Sequence, residues 1–331
     1  LAEKKMKNIF KKKYCILFSS CTGAMDVLIR SLNLKKNDEI IVPETTWIGT
    51  ISGLCNQGLK PVFVDVNLID GNINTNKILE KLNKNTRAII SVDCYGNPSN
   101  KKMIKKICKK NNLFFLEDAA PGFGSKISNK FCGTFGDAGV FSFQGAKPIT
   151  SGEGGALITN NKKIYEKALY FSDHCRDNKY ILYNTNIGYK YKMSNLQAAM
   201  LYTQLKDYKK IIKKRREIFY NYIKKLSKNK NFYFLNCEKK SQFNNYYVPT
   251  LILKKNSSAK KLISFLKSKN IDTRPVFRPL SSLPMFKNQK KENPNSYYLF
   301  KYGLNLPTYG QMSKKEINYV CRNIKKYFDT N

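Results

Sequence analysis

From about residue 39 onward, short apolar segments alternate with stretches of helical periodicity, and this alternation restricts the fold more than any other feature. The apolar segments are continuous rather than interrupted by polar residues, as in strands that are buried on both faces. Such strands, when helices connect them, form parallel α/β sheets. The predicted strands are EIIVP (39–43), PVFVDV (61–66), AIISVDC (88–94), LFFLED (113–118), VFSF (140–143) and GALIT (155–159).

The predicted helices lie at 47–57, 75–83 and 99–111, and a long helical region covers about 194–226. After residue 230 the pattern changes: FYFLN, YYVPTLIL and IDTRPVF favour strands, with helices near 257–269 and 313–327. We therefore predict a large α/β domain at 1–230 and a smaller α+β domain at 231–331.

The formal net charge is +37, which would suit a nucleic-acid-binding protein. The basic residues are spread over the whole chain, however, and form neither one tail nor one strip with interleaved aromatic residues. We interpret them as a lysine-rich surface, and binding to nucleic acid stays an alternative that rests on charge alone. The positive field would still steer an anionic substrate towards a cleft.

The nine cysteines form no C-x-x-C pair, which argues against a zinc ribbon or a disulfide scaffold and for a reducing compartment. The single histidine excludes metal sites built on two histidines. No apolar run approaches the length of a membrane span, and residues 1–13 are charged. We expect a cytoplasmic protein with no metal site, no membrane segment and no signal peptide.

Lys147 lies in FSFQGAKPITSGEGGAL, between apolar residues and a glycine-rich turn. A lysine amine reacts with aldehydes when a pocket partly buries it or cationic neighbours favour its neutral form. The nearest acidic cluster on an apolar run is Glu117 and Asp118. A lysine for an aldehyde and an acid for a pyridinium nitrogen are the minimal protein groups for binding pyridoxal phosphate.

Several of these residues follow predicted strands, and ligands gather where parallel strands end. Asp118 ends one strand, Lys147 follows another, and Trp47 comes after EIIVPETT. Trp47 is a candidate for stacking on a flat ring, and its alternative is packing in the core. The alternative for Asp118 is an ordinary helix cap.

Two further segments are candidates for binding phosphate. The turn SSCTGAM (19–25) introduces a helix and contains Thr22, whose hydroxyl could bind an anion together with the neighbouring amides. Its alternative is a plain N-cap. Ser142 alternates with Phe141 and Phe143, so its hydroxyl would face a site while the rings face the core.

The chain as a whole resembles the DegT/DnrJ/EryC1/StrS sugar aminotransferases, which are fold type I pyridoxal-phosphate enzymes. The resemblance rests on SCTGAM, DEIIVPETTWIGT, LEDAAPGFGS, GTFGDAGVFSFQGAKPITSGEGG, GYKYKMSNLQAA and IDTRPVFRPLSSLPMF. It implies a mostly parallel seven-stranded sheet, a homodimer with shared active sites, and a pyridoxamine phosphate form during the reaction. The last motif is most similar to the perosamine-synthase branch, which aminates a GDP-linked 4-keto-6-deoxy sugar for surface polysaccharides, with glutamate as the expected donor.

The resemblance also implies residue roles. Lys147 would bind the cofactor covalently and move a proton, Asp118 would pair with the ring nitrogen, and Trp47 would stack on the ring. The residues implied to hold the phosphate are Cys21, Thr22, Gly23, Ser142 and, from the partner subunit, Lys190. The residues implied to contact the substrate are His174, Arg274, Arg278 and Ser281; for the two arginines a structural salt bridge is the alternative. Glu153 is expected to shape the loop after the lysine.

The chain departs from the family pattern at several positions. Pro121 stands where many members have a polar side chain near the cofactor, and Lys190 or Lys192 replaces an asparagine. Ser281 replaces a histidine, and Cys175 follows His174 where glycine is usual. We also expect that a segment which precedes EKKMKNIF in the family is missing. A non-catalytic protein of the same fold is therefore the alternative hypothesis. A lysine at position 147 argues against the branch that carries histidine there and dehydrates sugars.

Overall fold

The computed structural model describes residues 1–177, 179–235, 238–255 and 257–330. Its strands are β1 (Tyr14–Phe18), β2 (Glu39–Pro43), β3 (Lys60–Val64), β4 (Thr86–Val92), β5 (Phe114–Asp118), β6 (Lys126–Ile127), β7 (Lys130–Phe131), β8 (Ala138–Ser142), β9 (Gly155–Thr159), β10 (Phe232–Phe234), β11 (Gln242–Phe243), β12 (Thr250–Leu253), β13 (Arg274–Pro275) and β14 (Gly303–Asn305). Its α-helices are α1 (Ala2–Phe10), α2 (Cys21–Ser31), α3 (Gly49–Asn56), α4 (Thr75–Lys81), α5 (Lys101–Lys110), α6 (Lys162–Ser172), α7 (Asn195–Lys206), α8 (Tyr208–Leu226), α9 (Ala259–Lys267), α10 (Pro294–Tyr302) and α11 (Lys314–Asp329).

The central sheet has seven strands in the order β1-β9-β8-β5-β4-β2-β3. The five strands from β8 to β3 are parallel to one another, and β9 is antiparallel to both of its neighbours. The prediction of a mostly parallel sheet is therefore confirmed. Because β2, β5 and β8 run in the same direction, the segments that follow them meet at one edge of the sheet.

A second sheet, in the order β10-β12-β14-β13, is antiparallel and is formed by strands that lie after residue 231. Helices α8, α9 and α11 cover the apolar side of this sheet. Strand β11 instead pairs with β6, so a segment of the C-terminal part extends a small sheet at the surface of the N-terminal part. We propose that the boundary between two domains lies near residue 230, where the chain passes from one large sheet to the other.

The predicted helical region at 194–226 consists of two helices, α7 and α8, which meet at Asp207. Helix α7 begins with a capping box, in which the side chains of Ser194 and Gln197 bond each other's backbone amides. Within the residues described, no helix combines the length and the apolar character that crossing a membrane requires.

Candidate active site

A cavity of about 440 Å³ lies at the edge of the sheet where β2, β5 and β8 end. It brings together six of the residues predicted to bind the cofactor, namely Cys21, Thr22, Trp47, Asp118, Ser142 and Lys147. Pro121 and Glu153 also line it. Gly23 does not belong to the lining, because its amide donates to the hydroxyl of Ser20 at 3.0 Å within the helix cap.

Asp118, the last residue of β5, is held by hydrogen bonds to both carboxylate oxygens. Thr50 donates its hydroxyl to Oδ2 at 2.7 Å, and the amide of Ala120 donates to Oδ1 at 3.1 Å. The hydroxyl of Thr46 lies 2.8 Å from that of Thr50 and continues the chain of hydrogen bonds. The sequence analysis did not identify Thr50; the signal that could have found it is the run ETTWIGT directly after β2. These contacts fix the direction in which the carboxylate faces the cavity.

Lys147 lies in the turn that follows β8. Its amide donates to the carbonyl of Gln144 at 2.8 Å, which closes the turn, and its Nζ lies 4.4 Å from the ring centroid of Tyr247. Among the residues described, no carboxylate lies within ion-pair distance of this Nζ. The main-chain carbonyl of Glu153 accepts from Gln197 at 3.0 Å and so ties the loop after the lysine to α7. The contact with the Tyr247 ring thus directs the amine into the cavity.

The opposite end of the cavity is formed by the first turn of α2. Ser20 caps this buried helix, and the first turn presents main-chain amides that have no partner within the helix. Gly49 lies beside them, where an added Cβ would come within 2.9 Å of the Thr22 hydroxyl and 3.2 Å of the Trp47 ring. Glycine at this position keeps the hydroxyl and the ring open to a ligand. Burial raises the pKa of the Cys21 thiol well above its ordinary value, so this side chain is neutral.

Trp47 lies at the mouth of the cavity and is 65% exposed, which excludes the alternative of core packing. Its ring lies 6.2 Å from that of Phe277, which also lines the cavity. The lysine, the acid, the amides and hydroxyls of α2, and an exposed flat ring are the groups that pyridoxal phosphate requires. The residues present therefore fit this cofactor.

A second cavity, of about 700 Å³, adjoins the first and shares Trp47, Tyr247 and Phe277 with it. Arg274 and Arg278 both line this second cavity. Arg274 forms an exposed ion pair with Asp272 at 3.0 Å. The Arg278 guanidinium lies 4.6 Å from the ring centroid of Phe300, and no carboxylate among the described residues pairs with it. Arg278 is therefore available to an anionic ligand.

The sequence model of the DegT/DnrJ/EryC1/StrS aminotransferase family matches residues 2–325. The chain belongs to this family. A curated relative, the GDP-perosamine synthase of Escherichia coli O157:H7, is 33% identical over 316 residues, which cover 96% of this chain and 86% of the relative. The aminotransferases of the family depend on pyridoxal phosphate, in agreement with the fit of the cavity.

Solved structures of other aminotransferases have the same fold. PseC of Helicobacter pylori, described as an aminotransferase involved in the biosynthesis of pseudoaminic acid, superimposes with a TM-score of 0.94 at 25% identity over 100% of this chain and 91% of that protein. The putative sugar aminotransferase Spr1654 of Streptococcus pneumoniae in its PLP form gives a TM-score of 0.94 at 19% identity, over 99% and 90% of the two chains.

Besides Gly23, three residues that the family pattern implied lie outside both cavities. The Ser281 side chain is fully buried and contacts the hydroxyl of Tyr297 at 3.1 Å, while its amide donates to Glu44 at 2.8 Å. Ser281 therefore ties its segment to the end of β2. His174 is exposed on the loop after α6, and Lys190 on the same loop pairs with Asp173 at 3.5 Å.

Proposed function

We propose that this family member transfers an amino group from an amino acid, with glutamate as the expected donor, to a keto sugar carried on a nucleoside diphosphate. The proposal rests on the presence of two adjoining cavities. One contains Lys147 and Asp118, and the other contains an arginine that has no carboxylate partner in the part described. The similarity to GDP-perosamine synthase favours a GDP-linked 4-keto-6-deoxy sugar as the acceptor.

The overall reaction exchanges an amino group for a ketone oxygen. Glutamate leaves as 2-oxoglutarate, and the sugar ketone becomes a primary amine. The bound cofactor supplies an electron sink for the carbon that loses or gains a proton. Lys147 moves that proton, because its amine enters the cavity from the turn after β8.

The remaining residues hold the cofactor in place. The Asp118 carboxylate, which accepts a hydrogen bond from Thr50, would pair with the ring nitrogen and keep that nitrogen protonated. Thr22, Ser142 and the first turn of α2 would bind the phosphate. Trp47, which is exposed at the mouth of the cavity, would stack on the ring.

The second cavity suits an anionic substrate. Arg278 supplies a guanidinium for a diphosphate, and the flanking rings of Tyr247 and Phe277 suit the apolar face of a sugar. The net charge of +37 adds a field that attracts such a substrate. We also propose a cytoplasmic location, which agrees with the eight unpaired cysteines among the described residues.

A single experiment tests the activity. The protein is converted to its pyridoxamine phosphate form with glutamate, freed of small molecules, and mixed with a panel of nucleotide-linked keto sugars. We expect a GDP-linked 4-keto-6-deoxy sugar to restore the visible absorption of the original form fastest. Restoration by a UDP-linked sugar alone would contradict the choice of nucleotide, and restoration by no sugar would contradict the acceptor class.

The alternative of a non-catalytic protein is disfavoured by the family match and by the residues of the cavity. Pro121 lacks a side chain that could bond the cofactor, but its carbonyl accepts from Asn245 at 2.7 Å and so contributes to the cavity wall. Lys147 and Asp118, which the chemistry requires, both line the same cavity. Conversion of the bound cofactor by glutamate distinguishes the two hypotheses.

We further propose that two copies of the chain form a dimer through the loop between α6 and α7. Among the described residues of this loop, five large apolar side chains are 53–94% exposed, namely Tyr180, Ile181, Leu182, Tyr183 and Ile187. An apolar cluster of this kind on a highly charged protein is typical of an interaction surface. A second copy is the expected partner because the family resemblance implies that Lys190, on the same loop, reaches the partner's active site.

The double substitution Ile181→Asp with Leu182→Asp is expected to convert a dimer into a monomer, because it places two desolvated charges in the interface. Light scattering during gel filtration measures the mass. The control is Ile69→Asp, which changes a residue that is 70% exposed in the segment between β3 and α4 and should leave the mass unchanged. A wild-type protein with the mass of one chain would contradict the proposed dimer.

A further inference from the structure

Tyr247, which the sequence analysis did not identify, forms part of the wall shared by the two cavities. The Nζ of Lys147 lies 4.4 Å from the centroid of its ring. This is the distance at which the face of an aromatic ring attracts an ammonium group. Since no carboxylate in the described residues pairs with Lys147, the ring of Tyr247 provides a contact that compensates the charge of the amine.

The position of Tyr247 is fixed by Asn245, whose side chain is fully buried. The carboxamide of Asn245 donates to the carbonyls of Pro121 and Phe123 at 2.7 and 2.9 Å, and it accepts from the amide of Tyr247 at 2.7 Å. An added Cβ at Gly96, where φ is +92°, would lie 1.9 Å from the Asn245 oxygen, so glycine makes room for this contact. The segment that carries Tyr247 is thereby tied to the loop that follows Asp118.

We infer that Tyr247 is a positioning residue for Lys147. Its ring holds the amine inside the cavity whenever the amine is not bonded to the cofactor. The inference rests on the proposed function, since in a transamination the lysine leaves the cofactor when the substrate's amine arrives. The freed amine must then stay within reach of the carbon whose proton it moves.

The first test uses the cofactor-free protein and measures how fast Lys147 is acylated by a succinimidyl ester, read by mass spectrometry of the peptide. The face of the aromatic ring attracts the ammonium group of Lys147 and so holds it against Tyr247. We therefore expect Tyr247→Leu and Tyr247→Met to raise the rate about two- to fivefold, the factor expected of one partly exposed cation–π contact. Tyr247→Phe keeps the ring face and should react at the wild-type rate.

The matched control is Phe277→Leu, which removes another aromatic ring from the same two cavities. It is expected to leave the acylation rate of Lys147 unchanged. An equal increase in this control would show that the effect is access of the reagent, and equal rates for Tyr247→Phe and Tyr247→Leu would show that the ring face is irrelevant. Either result overturns the inference.

The second test measures the rate of the glutamate half-reaction in single turnovers. Tyr247→Leu is expected to lower the maximal rate about two- to fivefold with little change in the glutamate concentration for half-saturation, and Tyr247→Phe is expected to match the wild type. A change confined to half-saturation would contradict a positioning role. The acylation test needs neither cofactor nor sugar, so its outcome is independent of whether the proposed function is correct.

Discussion

Replacing Lys147 by alanine is expected to abolish the visible absorption of bound pyridoxal phosphate and to lower the glutamate half-reaction by at least about 10²–10⁴-fold. The reason is that one amine serves two purposes: it bonds the cofactor's aldehyde and it moves the proton. In the structure no second lysine lines the described part of this cavity. The measurement is the absorption spectrum after incubation with pyridoxal phosphate and gel filtration, followed by single-turnover rates.

Two further variants test whether the loss of absorption is specific to the amine of Lys147. Lys147→Arg retains a positive charge above the ring of Tyr247 but cannot bond the aldehyde, so it should also lack the absorption. Lys162→Ala removes an exposed lysine on α6 whose partner within ion-pair distance is Glu166, and it should retain both spectrum and rate. A Lys147→Ala protein that keeps the spectrum would place the covalent bond at another lysine.

The parallel strands could be predicted because they are continuous apolar runs buried on both faces, and β8 and β9 are buried at every position. Strand β1 was not predicted, although YCILF is equally apolar. It follows the charged segment 1–13 directly, and its pairing partner β9 lies about 140 residues later in the chain. A short strand whose partner is that distant carries little local signal.

The candidate site also contains residues that the local sequence indicates and residues that it does not. Lys147, Asp118 and Thr22 could be predicted because each follows a strand or begins a helix, which is a local property of the sequence. Thr50 and Tyr247 could not, since their importance comes from contacts with residues 68 and 100 positions away. Ser281 illustrates a different limit, because a family motif gives a position in the sequence but not the direction of the side chain, which here is buried.

Lys101 is another residue whose role the local sequence does not indicate, and its replacement has a large expected effect on stability. In the sequence KKMIKKICKK it resembles the other lysines of an amphipathic helix, which face the solvent. In the structure its side chain is fully buried, and Nζ lies 2.7 Å from Asp93 and 3.1 Å from Glu117. Burial alone would lower the pKa of Lys101, but these two carboxylates raise it well above the ordinary value, so the ammonium persists.

Lys101→Met is expected to lower the free energy of unfolding by about 3–5 kcal/mol, as measured by chemical denaturation. The variant leaves the Asp93 carboxylate buried without its cation. The Glu117 carboxylate keeps three backbone donors, the amides of Gly133, Phe135 and Gly136, but it also loses its charge partner. Methionine fills much of the volume of lysine, so the loss is electrostatic rather than a cavity effect.

Lys102→Met is the matched control because Lys102 is exposed on the same turn of α5, and it should change stability by no more than about 0.5 kcal/mol.

If the electrostatic account is correct, adding Asp93→Asn to Lys101→Met recovers part of the loss, since it removes one of the two unpaired charges. Glu117 immediately precedes Asp118 on β5, so the same variant is also expected to weaken cofactor binding. A loss below about 1 kcal/mol for Lys101→Met would mean that water reaches the two carboxylates, and that the ion pairs do not hold this end of β5 in place.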